Sequence, residues 1–202
     1  MTWILGLTGG IASGKSTVSE ILRKYGAVII DGDHLTHQLQ QAHAPGFDAI
    51  ISEFGSKYIL PNGTLARKKL GNLVFNNKEA LKRLNAIMKP LLSKAIINQI
   101  EYLKKQKVAL IVLDMPLLFE ENYRNLYKLC DQTLIIEASP QIQLERLIKR
   151  DHLSRIQALA RIKAQLKIRE KDKLATKIIV NNGTVEELKQ KVIKWVFQNI
   201  QK

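Results

Sequence analysis

At 202 residues, 46% hydrophobic and 25% charged, the chain has the size of one compact domain or one core with insertions, and neither disorder nor a collagen-like repeat fits it. No apolar run approaches the roughly 20 residues of a membrane-spanning helix; the opening lacks a leader-like pattern, and the single cysteine, Cys130, suits a cytoplasmic setting. The unusual number is charge: 32 Lys and Arg against 18 Asp and Glu give +14, which calls for an anionic partner such as nucleic acid, a membrane surface or phosphorylated small molecules.

Thr2–Leu7 is a short apolar run that meets Thr8-Gly9-Gly10, the pattern of a buried strand entering a tight turn. After Lys15-Ser16, the residues Val18, Ile21 and Leu22 recur at helical spacing, with Gly26 as the stop. Ala27–Ile30 reads as a second buried strand, closed by Asp31-Gly32-Asp33. Strand, helix and strand within about 30 residues make one βαβ unit and so a parallel sheet. Residues 35–106 carry no comparable strand and read as a helical insertion punctuated by Pro45-Gly46 and Pro61-Asn62-Gly63. Val108–Leu113 is a third strand with Asp114 at its carboxyl end, Gln132–Glu137 a fourth and Lys177–Val180 a fifth. Between the last two, residues 141–173 read as a long basic helical stretch. From Val185 onward, Leu188, Val192, Trp195 and Val196 share one helical face. The expected fold is α/β, a three-layer sandwich whose core is residues 1–34, 107–140 and 174–202.

Gly9, Gly10, Ile11, Ala12, Ser13, Gly14, Lys15 and Ser16 fit G-x-x-x-x-G-K-[ST] at every fixed position, and Thr17 continues into the helix. The pattern follows a strand and opens a helix, the context that separates a phosphate cradle from a chance glycine turn. Glycines let backbone N–H groups turn inward around phosphate oxygens, and the helix presents its positive end to the same anion. Lys15 then places its charge on the β- and γ-phosphates, and the Ser16 hydroxyl holds Mg²⁺. The fold is therefore expected to be a P-loop NTPase sandwich that binds a nucleoside triphosphate.

Ligands of parallel sheets sit outside the carboxyl ends of the strands, where Asp31, Asp33 and Asp114 fall. Asp33 is the candidate to orient an attacking hydroxyl and accept its proton, with a further role toward Mg²⁺. For Asp31 and Asp33, capping a turn is the alternative. Asp114 ends its apolar run as a metal-side acid would, or else caps the Met115-Pro116 turn. Arg146 and Arg150, four residues apart, share a helix face and either neutralise the triphosphate or belong to a solvated basic surface. Aromatic residues are too few and scattered for a nucleic-acid stacking surface, so neither nucleic acid nor membrane is the expected partner.

Leu7–Ile11 and Ser13–Thr17, then Ile30-Asp31-Gly32-Asp33, Asn62-Gly63-Thr64-Leu65 with Arg67, Pro116-Leu117-Leu118-Phe119-Glu120, Gln143 with Arg146, Arg150 and Asp151, and Asn181-Asn182-Gly183 together resemble the dephospho-coenzyme A kinase family. Two positions depart from the family's habit: Gly32 stands where members often have Ala, and Lys89-Pro90 where they usually have His-Pro. The resemblance implies transfer of the γ-phosphoryl group of ATP to the ribose 3′-hydroxyl of dephospho-coenzyme A, with Mg²⁺. It implies an inserted helical substrate domain near residues 35–106 and a lid near 141–173. Asp33, Lys15 and Arg146 would be catalytic, and Arg146, Arg150 and Asn182 would join the loop in binding ATP. Thr8, Asp31, Asp33, Arg67, Leu117, Leu118 and Glu120 would meet the acceptor. A monomer or weak homo-oligomer is expected.

Overall fold

The computed structural model describes residues 2–119, 123–164 and 174–200. Glu120 and residues 165–173 of the expected lid lie outside the described residues. The chain divides into two compact units, Met1–Ile30 with Leu103–Lys202, and Asp31–Tyr102.

The first unit is built on five strands: β1 (Trp3–Gly9), β2 (Val28–Asp31), β3 (Leu110–Asp114), β4 (Gln132–Glu137) and β5 (Lys177–Val180). They form one parallel sheet in the order β2-β3-β1-β4-β5, with helices on both sides. β1 is central, with Leu5 opposite Val112 of β3 and Leu7 opposite both Asp114 and Leu134 of β4. Strands covered on both faces need apolar side chains both up and down, and all five residues of β3 are buried. Leu5, Leu7, Val112, Leu134 and Ile136 pack on one side against Val18 and Leu22 of α1 (Lys15–Lys24) and Val192 and Val196 of α9 (Val185–Ile200). Trp3 and Trp195 close that layer with ring centroids 6.5 Å apart.

Local chemistry sets the boundaries. At the end of α1 the Leu22 carbonyl accepts from Tyr25 and Ala27, and the Arg23 carbonyl accepts from Gly26. Gly26 has φ +89°, the left-handed stop that glycine adopts without a Cβ penalty. β3 starts two residues later than its apolar run because the Val108 N–H still bonds back to the Leu103 carbonyl, with Lys107 at φ +56°. Between β3 and β4 lies a short helix, α6 (Arg124–Tyr127), which the sequence pattern did not suggest.

The long basic stretch is not one helix. It is broken into α7 (Pro140–Asp151) and α8 (Arg155–Ala164). His152 takes a left-handed φ of +52°, and Ser154 then starts α8 by a reciprocal cap. The Ser154 N–H donates to Gln157 Oε1 at 3.0 Å, and the Gln157 N–H donates to Ser154 Oγ at 3.3 Å. That is the S-x-x-Q capping box, which satisfies two helix-end donors at once.

The second unit is helical: α2 (Gly32–Leu39), α3 (Pro45–Phe54), a 3₁₀ turn at Ser56–Tyr58, α4 (Arg67–Asn76), and α5 (Lys78–Lys105), whose residues to Tyr102 belong to it. Phe47, Ile50, Phe54, Tyr58, Leu65, Leu70, Ala80 and Met88 form its core. The Tyr58-Ile59-Leu60 run makes no strand, only an isolated bridge between Ile59 and Leu65. Gly46 is required by close approach, since a Cβ there would lie 2.6 Å from the Leu39 carbonyl oxygen.

Leu134 is fully buried in β4, so Leu134→Ala is expected to cost about 2–5 kcal/mol in denaturant unfolding. Phe75, 90% exposed on α4, provides the contrast, with Phe75→Ala shifting stability by no more than about 0.5 kcal/mol.

Candidate active site

β1 leaves the sheet through Thr8 and Gly9, and the chain turns back into α1 over five residues. The Ser13 N–H closes the turn on the Gly10 carbonyl at 3.2 Å. Gly14 caps α1 with φ +99° and ψ +15°, a left-handed conformation that a Cβ would strain. The first helical bond runs from the Val18 N–H to the Gly14 carbonyl, so the N–H groups of Lys15, Ser16 and Thr17 belong to the open, positive end of α1. Ala12 is also left-handed, with φ +54°, and such a residue stores about 1 kcal/mol or more of strain. Gly9 is pressed against β4, where a Cβ would come 2.6 Å from the Ile136 carbonyl oxygen and 2.8 Å from Ser13 Oγ. The Ser13 hydroxyl is buried with no hydrogen-bond partner among the described residues.

Lys15 Nζ donates to Asp114 Oδ1, and Ser19 Oγ donates to Asp114 Oδ2 at 2.6 Å. Both carboxylate oxygens of Asp114, 5% exposed, are thus engaged from one face of α1. Asp114 therefore faces Lys15 and Ser19 of α1 rather than the Met115-Pro116 turn. The turn after it is held by others: the Met115 N–H donates to the Leu7 carbonyl, and Thr8 Oγ1 to the Pro116 carbonyl at 3.1 Å. Thr8, expected toward the acceptor, is buried and spends its hydroxyl on that turn.

The helices after β4 close on the loop. Leu144 and Leu147 of α7 and Ala158 and Ile162 of α8 form a small core, against which Ile11 and Ala12 of the loop pack. Gln143 Nε2 donates to the Ile11 carbonyl at 2.9 Å. The guanidinium of Arg146 reaches the carbonyls of Ala12 and Ser13, both at 3.4 Å, and Asn181 Oδ1 at 3.5 Å. Asn181 Nδ2 in turn donates to the Ser13 carbonyl at 2.8 Å. Asn181 and Gln143 were not among the assigned site residues, although both stood in the motif pattern. No polar periodicity marks a single buried amide, so its neighbour Asn182 took the assignment. Asn182 is exposed, and its Oδ1 accepts the Ser139 N–H at the start of α7.

Arg150 points elsewhere than Arg146. It grips Asp151 through Nε at 2.7 Å and a terminal nitrogen at 3.1 Å, and Arg161 of α8 reaches the same carboxylate at 3.0 Å. The Arg150 hydrogen bond holds the Asp151 carboxyl below its ordinary range and raises the Arg150 guanidinium above its own. This exposed link between α7 and α8 is therefore formed above the usual carboxylate pKa and is lost only as acid titrates the folded carboxyl. Cys130 is pushed up to about 12, by burial first and Asp131 second, which suits an inert core thiol.

Leu117 is 45% exposed, whereas Leu118 is fully buried; a Cβ on Gly6 would lie 2.6 Å from Leu118 Cδ2. The Leu118 side chain is a core group that anchors the turn. In the helical unit, Asp31 Oδ1 accepts the His34 N–H at 2.9 Å and caps α2, the capping role weighed for it. Asp33 is exposed in the first turn of α2. Arg67 is exposed at the start of α4 and donates to the His37 carbonyl at 3.0 Å. Glu120 lies outside the described residues.

The donor set suits a hard cation that brings most of its own ligands. No group of three or more His, Cys, Asp or Glu is poised for a metal among the described residues. An ion such as Mg²⁺, which keeps waters and phosphate oxygens, needs only one or two protein oxygens. The exposed Ser16 hydroxyl and the Asp114 carboxylate flank Lys15 at one helix end and are of that kind. No helix among the described residues is long and apolar enough to cross a membrane.

A phosphate loop between a central parallel strand and a helix, with a buried acid on its lysine, defines a P-loop kinase class. The shikimate kinase of Acinetobacter baumannii shares this fold at TM-score 0.57 and 18% identity, covering all of this chain and 97% of that one. A solved dephospho-CoA kinase from Campylobacter jejuni superposes more closely, at TM-score 0.72 and 32% identity over all of this chain and 98% of its own. The dephospho-CoA kinase of Lactobacillus johnsonii is 41% identical over 192 residues, 95% of this chain and 96% of that protein. The family model for dephospho-CoA kinase matches residues 3–187. The chain belongs to the dephospho-CoA kinase family.

Lys15→Ala is expected to abolish turnover and to destabilise the fold by on the order of 3 kcal/mol, because it strands a buried carboxylate. Adding Asp114→Asn should recover part of the stability, read as the thermal midpoint, and none of the turnover.

Proposed function

We propose that the protein transfers the γ-phosphoryl group of ATP to the ribose 3′-hydroxyl of dephospho-coenzyme A, giving coenzyme A and ADP in the cytoplasm. The observation that carries this reading is the Lys15–Asp114–Ser19 cluster at the open end of α1, inside a chain whose family model spans residues 3–187. The loop N–H groups and Lys15 take the triphosphate, exchanging the Asp114 carboxylate for phosphate oxygens around the ammonium. Bound Mg²⁺ would be held by Ser16, with a carboxylate of Asp33 or Asp114 beside it, and would supply charge neutralisation for the leaving diphosphate.

Asp33 orients the 3′-hydroxyl and accepts its proton as the new P–O bond forms and the bond to the β-phosphate oxygen breaks. Asp33 is exposed in the first turn of α2. A late proton transfer suits a loose transition state. Arg146 adds positive charge from α7 as negative charge shifts toward the leaving oxygen, and Arg150, Asn182 and Thr17 complete the ATP contacts. Asp31, Arg67, Thr8, Leu117, Leu118 and Glu120 shape the acceptor side, Thr8 and Leu118 through the turn they anchor. The protein acts as a monomer or weak homo-oligomer, without nucleic acid or membrane.

Incubation with ATP, Mg²⁺ and dephospho-coenzyme A, followed by phosphorus NMR of the product, is expected to show a new 3′-phosphomonoester. Transfer to a nucleoside or small acid in place of this acceptor would overturn the reading. Asp33→Asn should lower kcat by about 10²–10⁴ while ATP binding persists; near-normal kcat would remove Asp33 from the chemistry.

A further inference from the structure

We propose that Asn181 is a positioning residue for phosphoryl transfer, holding the Ser13 carbonyl of the phosphate loop and the Arg146 guanidinium of α7 in one arrangement. Asn181 follows directly on β5, and its own N–H is pinned to the Glu137 carbonyl at 2.7 Å. The residue is 5% exposed, so its carboxamide cannot swing without losing partners that burial makes costly to lose. Nδ2 donates to the Ser13 carbonyl at 2.8 Å, a short, well-formed bond. Oδ1 faces Arg146.

Among the described residues, the hydrogen bonds of Arg146 are at the long end, 3.4–3.5 Å to Ala12, Ser13 and Asn181. None of them alone fixes a guanidinium. Together they set its plane, because the Ser13 carbonyl accepts from both Arg146 and Asn181 while Asn181 also accepts from Arg146. The three groups form a closed triangle drawn from the loop, α7 and the end of β5. Removing Asn181 opens the triangle at two sides and leaves the Ser13 carbonyl to Arg146 alone.

Gly14 supports the same assignment. A Cβ at this position would collide with Asn181 Nδ2, so the second fixed glycine of the loop is demanded by Asn181 as well as by its φ of +99°. The buried Ser13 hydroxyl finds no partner among the described residues, so Ser13 is held through its backbone, its N–H on the Gly10 carbonyl and its carbonyl on Asn181.

This inference rests on the reading that Arg146 acts on the triphosphate. The test is a double-mutant cycle on kcat with Asn181→Ala, Arg146→Ala and the pair, with KM for each substrate and the thermal midpoint measured alongside. Asn181→Ala is expected to lower kcat about 10-fold or more while KM for dephospho-coenzyme A holds within about twofold. In the Arg146→Ala background the same change should lower kcat by less than about threefold, since the group it positions is gone. Asn181→Leu serves as a second variant should the alanine form fold poorly. It keeps the side-chain volume, loses both the donor for Ser13 and the acceptor for Arg146, and should show the same coupling. Multiplying effects of the two substitutions, or an Asn181 variant with wild-type kcat, would overturn the assignment. Normal kcat in Arg146→Ala alone would instead sink the reading beneath it, and this inference with it.

Discussion

An ammonium and a carboxylate held together at the ends of two adjacent parallel strands govern the nucleotide end of the sheet. Asp114 lies level with Leu7 of β1 in the strand register, so the acid reaches the helix that β1 feeds. A carboxylate so buried is tolerable only if its charge and lone pairs are met. Lys15 meets the charge and Ser19, one helical turn on, meets the second oxygen. The lysine is thereby held at the open end of α1, and under the proposed function nucleotide binding would exchange one anion for another around a cation already in position.

The sequence was most legible where short apolar runs stood between polar or glycine breaks. Gln132–Glu137, Lys177–Val180 and the start of the last helix at Val185 appear in the structure with those bounds. The loop was legible because three glycines, a lysine and a serine at set spacing have few other uses. Asp114 could be seen but not decided, since an acid after an apolar run serves a turn as well as a neighbouring strand. The break between α7 and α8 was readable in principle from Ser154-Arg155-Ile156-Gln157, but the capping box is masked by helical spacing on either side. Asn181 and Thr8 were hidden for a deeper reason. Their partners are backbone carbonyls of Ser13 and Pro116, and a carbonyl has no letter in the sequence.

The charge surplus takes on a more local meaning. In residues 141–202 there are 15 Lys and Arg against 6 Asp and Glu, yet the described arginines there do different things. Arg146 turns inward to the loop, whereas Arg150 and Arg161 share Asp151 on the outer side of the α7–α8 pair. Exposed pairs of that kind contribute about 0–1 kcal/mol. Of these two pairs only Arg161–Asp151 joins α7 to α8, whose apolar sides already meet the loop.

The packing of Ile11 and Ala12 beneath α7 and α8 makes the variable positions of the loop motif less interchangeable than the motif implies. Two of the letters written as x are hydrophobic wall for another element, and one of them also accepts a left-handed backbone. A loop transplanted from another kinase, with polar residues at these two places, would still present N–H groups to phosphate. It would leave the overlying helix pair without a floor. Phosphate loops are therefore portable between relatives as a matched set with the helices above them, and recombination or engineering that moves the loop alone carries half of a unit.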